Sequence, residues 1–463
     1  MIHLKAAQIA EIVGGTLHGS DVNVTAPAFV ASSECVGGSI FVAIKGERVD
    51  GHDYIEDAFT HGAVIALTTH RVNQRCIVVE NVIVALSNLA SYVRSELSSL
   101  KVVGITGSQG KTTTKEFLNA VLSAEGKTIA TKGNNNNELG VPLTLLRCEE
   151  ETQYCIVEMG ARHVGDIAKL SLIVKPNIGV VLRVAAAHIG EFGSIEKIAL
   201  AKSEMISSLP SDAVAILGQY DTFTKAMSSL HQGKTITFGE EGGAAVRATD
   251  VELREGRAHF DLVTPEGRST VALRQLGLHQ VPNALAAAAV AHTLGISTDH
   301  IATSLSTAEM NAAMRMQVIQ LTDLTLINDA YNASPDSMAA AIGTLAHLSQ
   351  ERGGESWAFL GNMRELGESS GQAHQEIGTL CAELRIDHLV TIGAPDYASG
   401  VASESQTSVH ACENREEAIK LLIHLNRGDV VLCKGSRSEK LEEIAHEIEK
   451  FWINKMSEEE EGK

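Results

Sequence analysis

The chain lacks any uninterrupted apolar run approaching the ~18 residues that a membrane helix needs. Its first residues, MIHLKAAQIAEIVGG, also lack the basic-then-apolar layout of an export signal. Together these absences predict a soluble, cytoplasmic protein with no membrane insertion. Paired cysteines are missing too: Cys35, Cys76, Cys148, Cys155, Cys381, Cys412 and Cys433 stand singly, with no C-x-x-C motif. That argues against a disulfide framework and against a zinc site, and predicts reduced, mostly buried thiols. Positive charge is scarce: 38 Lys and Arg face 57 Asp and Glu, a formal net charge of −19. A nucleic acid or an anionic membrane is therefore not expected as the main partner, because phosphate contacts need clustered cations. An anionic small substrate would need a locally positive pocket. No internal repeat and no low-complexity linker is present, and the terminal KMSEEEEGK is expected to be a solvated acidic tail.

What is present is 463 residues with 44% hydrophobic and 21% charged content, enough for two to four globular domains. Residues 1 to about 97 mix short strand-like runs (SIFVAI, AVIALTTH, CIVVENV) with the helical segment VIVALSNLASYVRSEL. A second series starts at KVVGIT, where YCIVEMG, NIGVVLRV and AVAIL alternate with helical stretches, the pattern of a mostly parallel sheet. The short alternating runs KTITFG, AAVRATDVEL, RAHFDLVT and STVALR predict an antiparallel appendage to it. NALAAAAVAHTLG reads as a helix between Pro282 and Gly295. A third series, LTLIND, SWAFLG, HLVTIG and DVVLCKG, resembles a Rossmann-type unit. The expected fold is α/β in three domains, 1–98, 99–313 and 314–463.

The densest chemical signal is GITGSQGKTTTKEF. The strict pattern G-x-x-x-x-G-K-[ST] requires glycine where Ile105 stands, and the glycines fall instead at Gly107 and Gly110. The physics of a phosphate cradle survives this change. A buried strand delivers a turn whose N–H groups face inward, and the following helix points its positive end at the same place. Lys111 can reach the β- and γ-phosphates, and the Thr112 hydroxyl can ligate Mg²⁺. The competing reading is a glycine turn without a ligand, against which stands the full strand, Lys-Thr and helix context.

Other polar groups stand where a packed core would not choose them. TKGNNNNELG offers a row of amides that suits a polar ligand or an ordinary loop. Glu158 ends the strand YCIVE, and His188 follows NIGVVLRV, both at the end of a parallel strand that faces the ligand crevice in open α/β sheets. Glu158 is either a metal ligand or an exposed strand-end carboxylate, and His188 either a ligand or a satisfied buried histidine. Lys202 lies in IEKIALAKSEM, where composition alone predicts a solvent-facing lysine.

Taken in order, TGSQGKTTTK, GNNNNELGVPLTLL, EMGARHVGDIAKL, AHIGEFGSIEKIALAK, NALAAAAVA, INDAYNASPDSM, LGNMRELG and CKGSRS resemble the Mur ligases, from about residue 4 to residue 445. EMGARHVGDIA and DAYNASPDSM favour the branch that joins D-alanyl-D-alanine (D-Ala-D-Ala) to UDP-N-acetylmuramoyl-tripeptide (UDP-MurNAc-tripeptide). The resemblance implies a UDP-holding first domain, a central ATPase and a C-terminal domain that presents the amino substrate, in a monomer. It implies that Gly107, Ser108, Gln109, Gly110, Lys111, Thr112 and Thr113 hold ATP, with Asn283 at adenine, Arg315 at phosphate and Asp329 near the ribose. Thr112 and Glu158 would serve a first Mg²⁺, and His188 a second, with Lys202 as a carbamylated lysine supplying metal-binding oxygens. Lys111, His188 and Lys202 form the implied catalytic set. Asn134, Asn136, Asn137, Arg162, Tyr331 and Asn332 are implied on the substrate side.

Departures from the family pattern are specific. Ser32-Ser33-Glu34 replaces an Asp-Ser-Arg turn and reverses a charge near the expected diphosphate. Leu182-Arg183-Val184-Ala185 replaces T-N-V-G, Ser203 replaces glycine, Gln280 replaces asparagine, and Asn362 replaces the aspartate of L-G-D-M. Two other readings remain open on sequence: a related amide ligase of the folylpolyglutamate or cyanophycin synthetase type, and a non-catalytic nucleotide-binding relative. Retention of Lys111, His188 and Lys202 weighs against the second.

Overall fold

Runs rich in β-branched residues become strands of three larger sheets covered by the helices between them, and a fourth, two-stranded sheet pairs Leu4–Lys5 with Asn23–Val24. The structure, a computed structural model, describes residues 1–186, 189–309 and 314–461. Among them no helix is long and apolar enough to cross a membrane. All seven cysteines are free thiols, buried except for the half-buried Cys412.

The first sheet has five strands in the order Thr16–His18, Cys76–Val78, Ala63–Thr68, Ser39–Val42, Ala28–Phe29. It leads into the helix Val82–Glu96, whose N-cap Asn81 accepts from the backbone N–H of Ile83 and Val84 at 2.9 and 3.1 Å. The buried stripe of that helix (Leu86, Leu89, Val93) packs against Gly140–Leu145 and Asp166–Val174 of the next unit. Arg94 locks the joint: its guanidinium donates to the carbonyls of Leu97, Val174 and Lys175 and to Asn177 Oδ1, all at 3.1–3.2 Å.

The second sheet has nine strands. Seven run parallel in the order Thr128–Ala130, Tyr154–Glu158, Lys101–Thr106, Ile178–Val181, Val214–Gly218, Lys234–Gly239, Val246–Arg254, and Arg257–Thr264 and Gly267–Leu276 complete it by antiparallel pairing. The expectation of an antiparallel appendage holds only for the pairings among the last three strands, the first of which joins Lys234–Gly239 in parallel. Lys234–Gly239 pairs in parallel with Val214–Gly218, because the helical turns at 222–230 supply the crossover that a parallel neighbour requires. Lys101–Thr106 lies between strands reached in opposite directions, the switch point outside which α/β sheets bind ligands. The alanine-rich helix Gln280–Thr293 is buried continuously from Asn283 to Ala291, its small side chains allowing it to pack against the helix Lys111–Glu125.

The third sheet runs Gln317–Leu321, Leu324–Asn328, Val430–Lys434, Ser356–Gly361, His388–Ile392, Ser408–Cys412, parallel except for its first strand. The acidic run at the end is not a separate tail. It continues the helix Leu441–Glu461, held by the buried stripe Ile448, Trp452 and Met456, and Glu459 pairs with Arg427 at 2.8 Å.

Candidate active site

The phosphate loop turns on Gly110, whose φ of +79° is left-handed. A Cβ there would lie 2.1 Å from Asn283 Oδ1, so both backbone strain and a clash exclude a side chain. Gly110→Ala is accordingly expected to lower stability by ~1–3 kcal/mol and to weaken nucleotide binding, read by thermal unfolding with and without nucleotide. An unchanged melting temperature would contradict this account of the turn. Ser108 ties the loop to the neighbouring strand end: its N–H donates to the Arg183 carbonyl at 2.9 Å and its hydroxyl to that of Ala185 at 3.0 Å.

Lys111 Nζ donates to the Gly107 carbonyl at 2.8 Å, folding its charge back over the loop. Burial holds its pKa below the ordinary lysine value, with Glu158 opposing that shift and Arg315 adding to it. One residue on, the Thr112 hydroxyl donates to Glu158 Oε2 at 2.9 Å. The other carboxylate oxygen, Oε1, accepts from Asn136 Nδ2 at 2.8 Å. Glu158 thus stands at the end of its strand, buried, and oriented from two sides. A hydroxyl beside a carboxylate is a hard-oxygen donor pair that fits Mg²⁺, which binds through one or two carboxylates together with phosphate oxygens. Among the described residues no group of three or more His, Cys, Asp or Glu side chains is arranged as a metal site.

The asparagine loop is held from beneath by a residue that sequence reasoning missed. Lys115 is 1% exposed, and its ammonium donates to the carbonyls of Thr131 and Gly133 at 2.7 and 2.8 Å. It lies one helical turn beyond Lys111, and that spacing was its only signal in the sequence. Asn137 Oδ1 accepts from the N–H of Gly140, the first residue of the next helix, at 3.0 Å, whereas Asn134 and Arg162 are exposed on the cleft wall.

Lys202 is 4% exposed on the helix Ile195–Ser207, against the solvent-facing expectation from composition. The helix turns it inward with Ile198, Ala201 and Met205. Its ammonium has no hydrogen bond or ion pair among the described residues. Burial, reinforced by the charge of Lys111, pushes its pKa down to about 7 despite Asp166 and Glu204. A neutral amine capable of adding CO₂ is thereby available near neutral pH. His188 lies outside the described residues.

The opposite wall comes from the third sheet. Arg315 stacks on the Tyr331 ring at 3.8 Å. Asp329 receives the Lys434 ammonium at 2.5 Å and the Met316 N–H at 2.9 Å, and Lys434 also donates to the Asn332 carbonyl at 3.0 Å. Lys434 was another omission, although a lysine ending the buried strand DVVLCK was visible. Gln280, where the family pattern carries asparagine, accepts from Asn283 Nδ2 with its Oε1 at 3.1 Å and so orients that amide. His279, pushed down to about 4 by burial, is neutral at pH 7.

All expected site residues within the described part line one cleft of about 1150 Å³ between the second and third sheets. That volume exceeds the usual single-ligand pocket and has room for more than one substrate.

Known proteins match over the same span. Family models for the Mur ligase family catalytic domain, the Mur ligase middle domain and the Mur ligase glutamate ligase domain match residues 29–106, 105–291 and 314–437. The UDP-N-acetylmuramoyl-tripeptide–D-alanyl-D-alanine ligase of Mycobacterium tuberculosis (strain H37Rv) is 37% identical, over 96% of this chain and 97% of its own. A crystal structure of MurF from Acinetobacter baumannii superposes with a TM-score of 0.87 at 35% identity, covering 96% of this chain and 98% of that one. MurF from Thermotoga maritima in complex with ADP gives 0.81 at 31% identity, covering 93% and 99%. With three domain models in register and near-complete alignment to these relatives, the chain belongs to the Mur ligase family.

Proposed function

We propose that this chain joins D-alanyl-D-alanine to UDP-N-acetylmuramoyl-tripeptide, converting ATP to ADP and phosphate, in cytoplasmic peptidoglycan precursor synthesis. The observation that carries the reading is the single cleft in which the phosphate loop, the buried Lys202 and the Asp329–Lys434 pair face one another. In this reading residues 1–98 hold the UDP end, 99–313 hold ATP, and 314–463 bring the incoming amine.

The terminal carboxylate of the tripeptide attacks the γ-phosphorus of ATP, the bond to the β-phosphate oxygen breaks, and ADP leaves behind an acyl phosphate. The neutral amine of D-Ala-D-Ala then attacks the acyl carbon. Phosphate departs, and the amine proton goes to solvent or to a base. Lys111, released from the Gly107 carbonyl, faces the transferring phosphoryl group, where fixed positive charge stabilises the transition state. Arg315 meets phosphate, Asn283 the adenine and Asp329 the ribose, while the asparagine loop and Arg162 face the acceptor peptide. Mg²⁺, when bound, neutralises charge between phosphate oxygens. The residues that would hold it are Thr112, Glu158, His188 and Lys202, the last as a carbamate. Positioning supplies most of the rate, and no side-chain nucleophile is required.

The test is phosphate release from ATP with both substrates and with each alone. Turnover is expected only when tripeptide and dipeptide are both present. Turnover with another acceptor pair, or nucleotide binding without turnover, would defeat the assignment.

A further inference from the structure

Two side chains from the loops that follow Lys101–Thr106 and Ile178–Val181 converge on one carboxylate in the first turn of the helix Pro335–Arg352. Gln109 Nε2 donates to Ser334 Oγ and to Asp336 Oδ2, each at 3.2 Å. An Arg183 guanidinium nitrogen lies 3.7 Å from the same Asp336 oxygen. Gln109 belongs to the phosphate loop itself, immediately before Gly110, and Arg183 is fixed to that loop because its carbonyl accepts the Ser108 N–H at 2.9 Å. Arg183 makes no other ion pair, and its buried Nε has no hydrogen-bond partner, among the described residues. It also stands where the family pattern carries asparagine.

Asp336 opens the helix Pro335–Arg352, where an acidic residue is favourable for the helix dipole alone. That ordinary role does not account for two contacts reaching across to the other sheet. The helix follows directly on the segment 329–334, which lines the cleft and is anchored at Asp329 and Asn332 by Lys434. Whatever holds Asp336 against the phosphate loop therefore holds Asp329 and Tyr331 at their distance from it.

We propose that Asp336 is a positioning residue for this reaction, an interdomain latch that Gln109 and Arg183 grip to set the third sheet against the phosphate loop. The inference rests on the nucleotide reading of the cleft. Asp336 and Arg183 are both part-exposed, with side-chain exposures of 48% and 39%, so the pair is weak. A weak pair suits a contact that must open again for product release.

The test uses the full chain and a non-hydrolysable ATP analogue with Mg²⁺, so that affinity is read without turnover. Asp336→Arg and Arg183→Asp are each expected to weaken analogue binding about three- to tenfold, and the charge-swapped double variant to recover most of that loss. Small-angle scattering should show the analogue complex expanded in each single variant and compact in the double. In turnover, KM for ATP should rise more than kcat falls for Asp336→Asn. Losses that simply multiply in the double variant would overturn the latch, as would wild-type affinity in both single variants. If the wild-type chain fails to bind the analogue, the nucleotide reading itself falls, and the latch with it.

Discussion

Lys111→Ala is expected to lower kcat for ADP release by about 10²–10³-fold, the effect of removing one preorganised charge from a developing transition state. The side chain sits on the first turn of the helix that follows the phosphate loop, half-buried, with its ammonium on the Gly107 carbonyl. Its depressed pKa has burial as its main cause, and the same dry surroundings make its charge more effective at a phosphate than it would be in water. Because its ammonium makes one hydrogen bond, to a backbone carbonyl, and the side chain is only half-buried, its loss should cost little stability. The circular dichroism spectrum and melting temperature should stay close to wild type. Hydroxylamine added to the reaction should trap the activated peptide as a hydroxamate in the wild type and far less of it in the variant. Wild-type turnover by Lys111→Ala, or no hydroxamate from the wild type, would remove the basis for an acyl-phosphate route.

The phosphate loop was legible because its signal is local: a buried strand, a glycine-permitted turn and a helix, all between residues 101 and 125, fix the geometry even with Ile105 in place of the first glycine. The same locality explains what was misread. Alternating residues in KTITFG look alike in parallel and antiparallel strands, and only the helical turns before them decide the direction. The run SEEEE has the charge of a solvated tail, yet Trp452 and Met456, four residues apart, carry the helix into it. Lys115 and Lys434 escaped for a different reason. Lys115 pairs locally with Glu116, but the carbonyls it holds lie 16 and 18 residues away and the carboxylate held by Lys434 lies 105 residues away, and no pattern in a single segment records such contacts. The burial of Lys202 was partly readable, since it lies four residues beyond Ile198 and three before Met205 on one helical face. A count of charged residues hides that spacing.

Lys202→Ala is expected to reduce turnover by 10²-fold or more, because the variant loses the group that would carry the carbamate oxygens for the metal. The pH dependence follows from the depressed pKa. CO₂ adds only to the neutral amine, which is half-populated at about pH 7, so enzyme depleted of CO₂ should regain activity with bicarbonate more fully at pH 8 than at pH 6. A second readout needs no turnover: ¹³C-labelled bicarbonate should give a carbamate resonance in the wild type that is absent from Lys202→Ala. Stability gives the sign independently. Between about pH 7 and the ordinary lysine value the unfolded chain holds a proton that the folded one lacks, so this residue makes the CO₂-depleted fold more stable as pH rises through that window. Lys202→Met, which has no buried amine to discharge, should therefore melt above the CO₂-depleted wild type at pH 7, with the gap narrowing by pH 9. A gap that stays constant from pH 7 to pH 9 would mean that Lys202 remains charged in the folded state through that window. In that case burial would not poise this amine for CO₂, and the pH dependence assigned to the carbamate would fall.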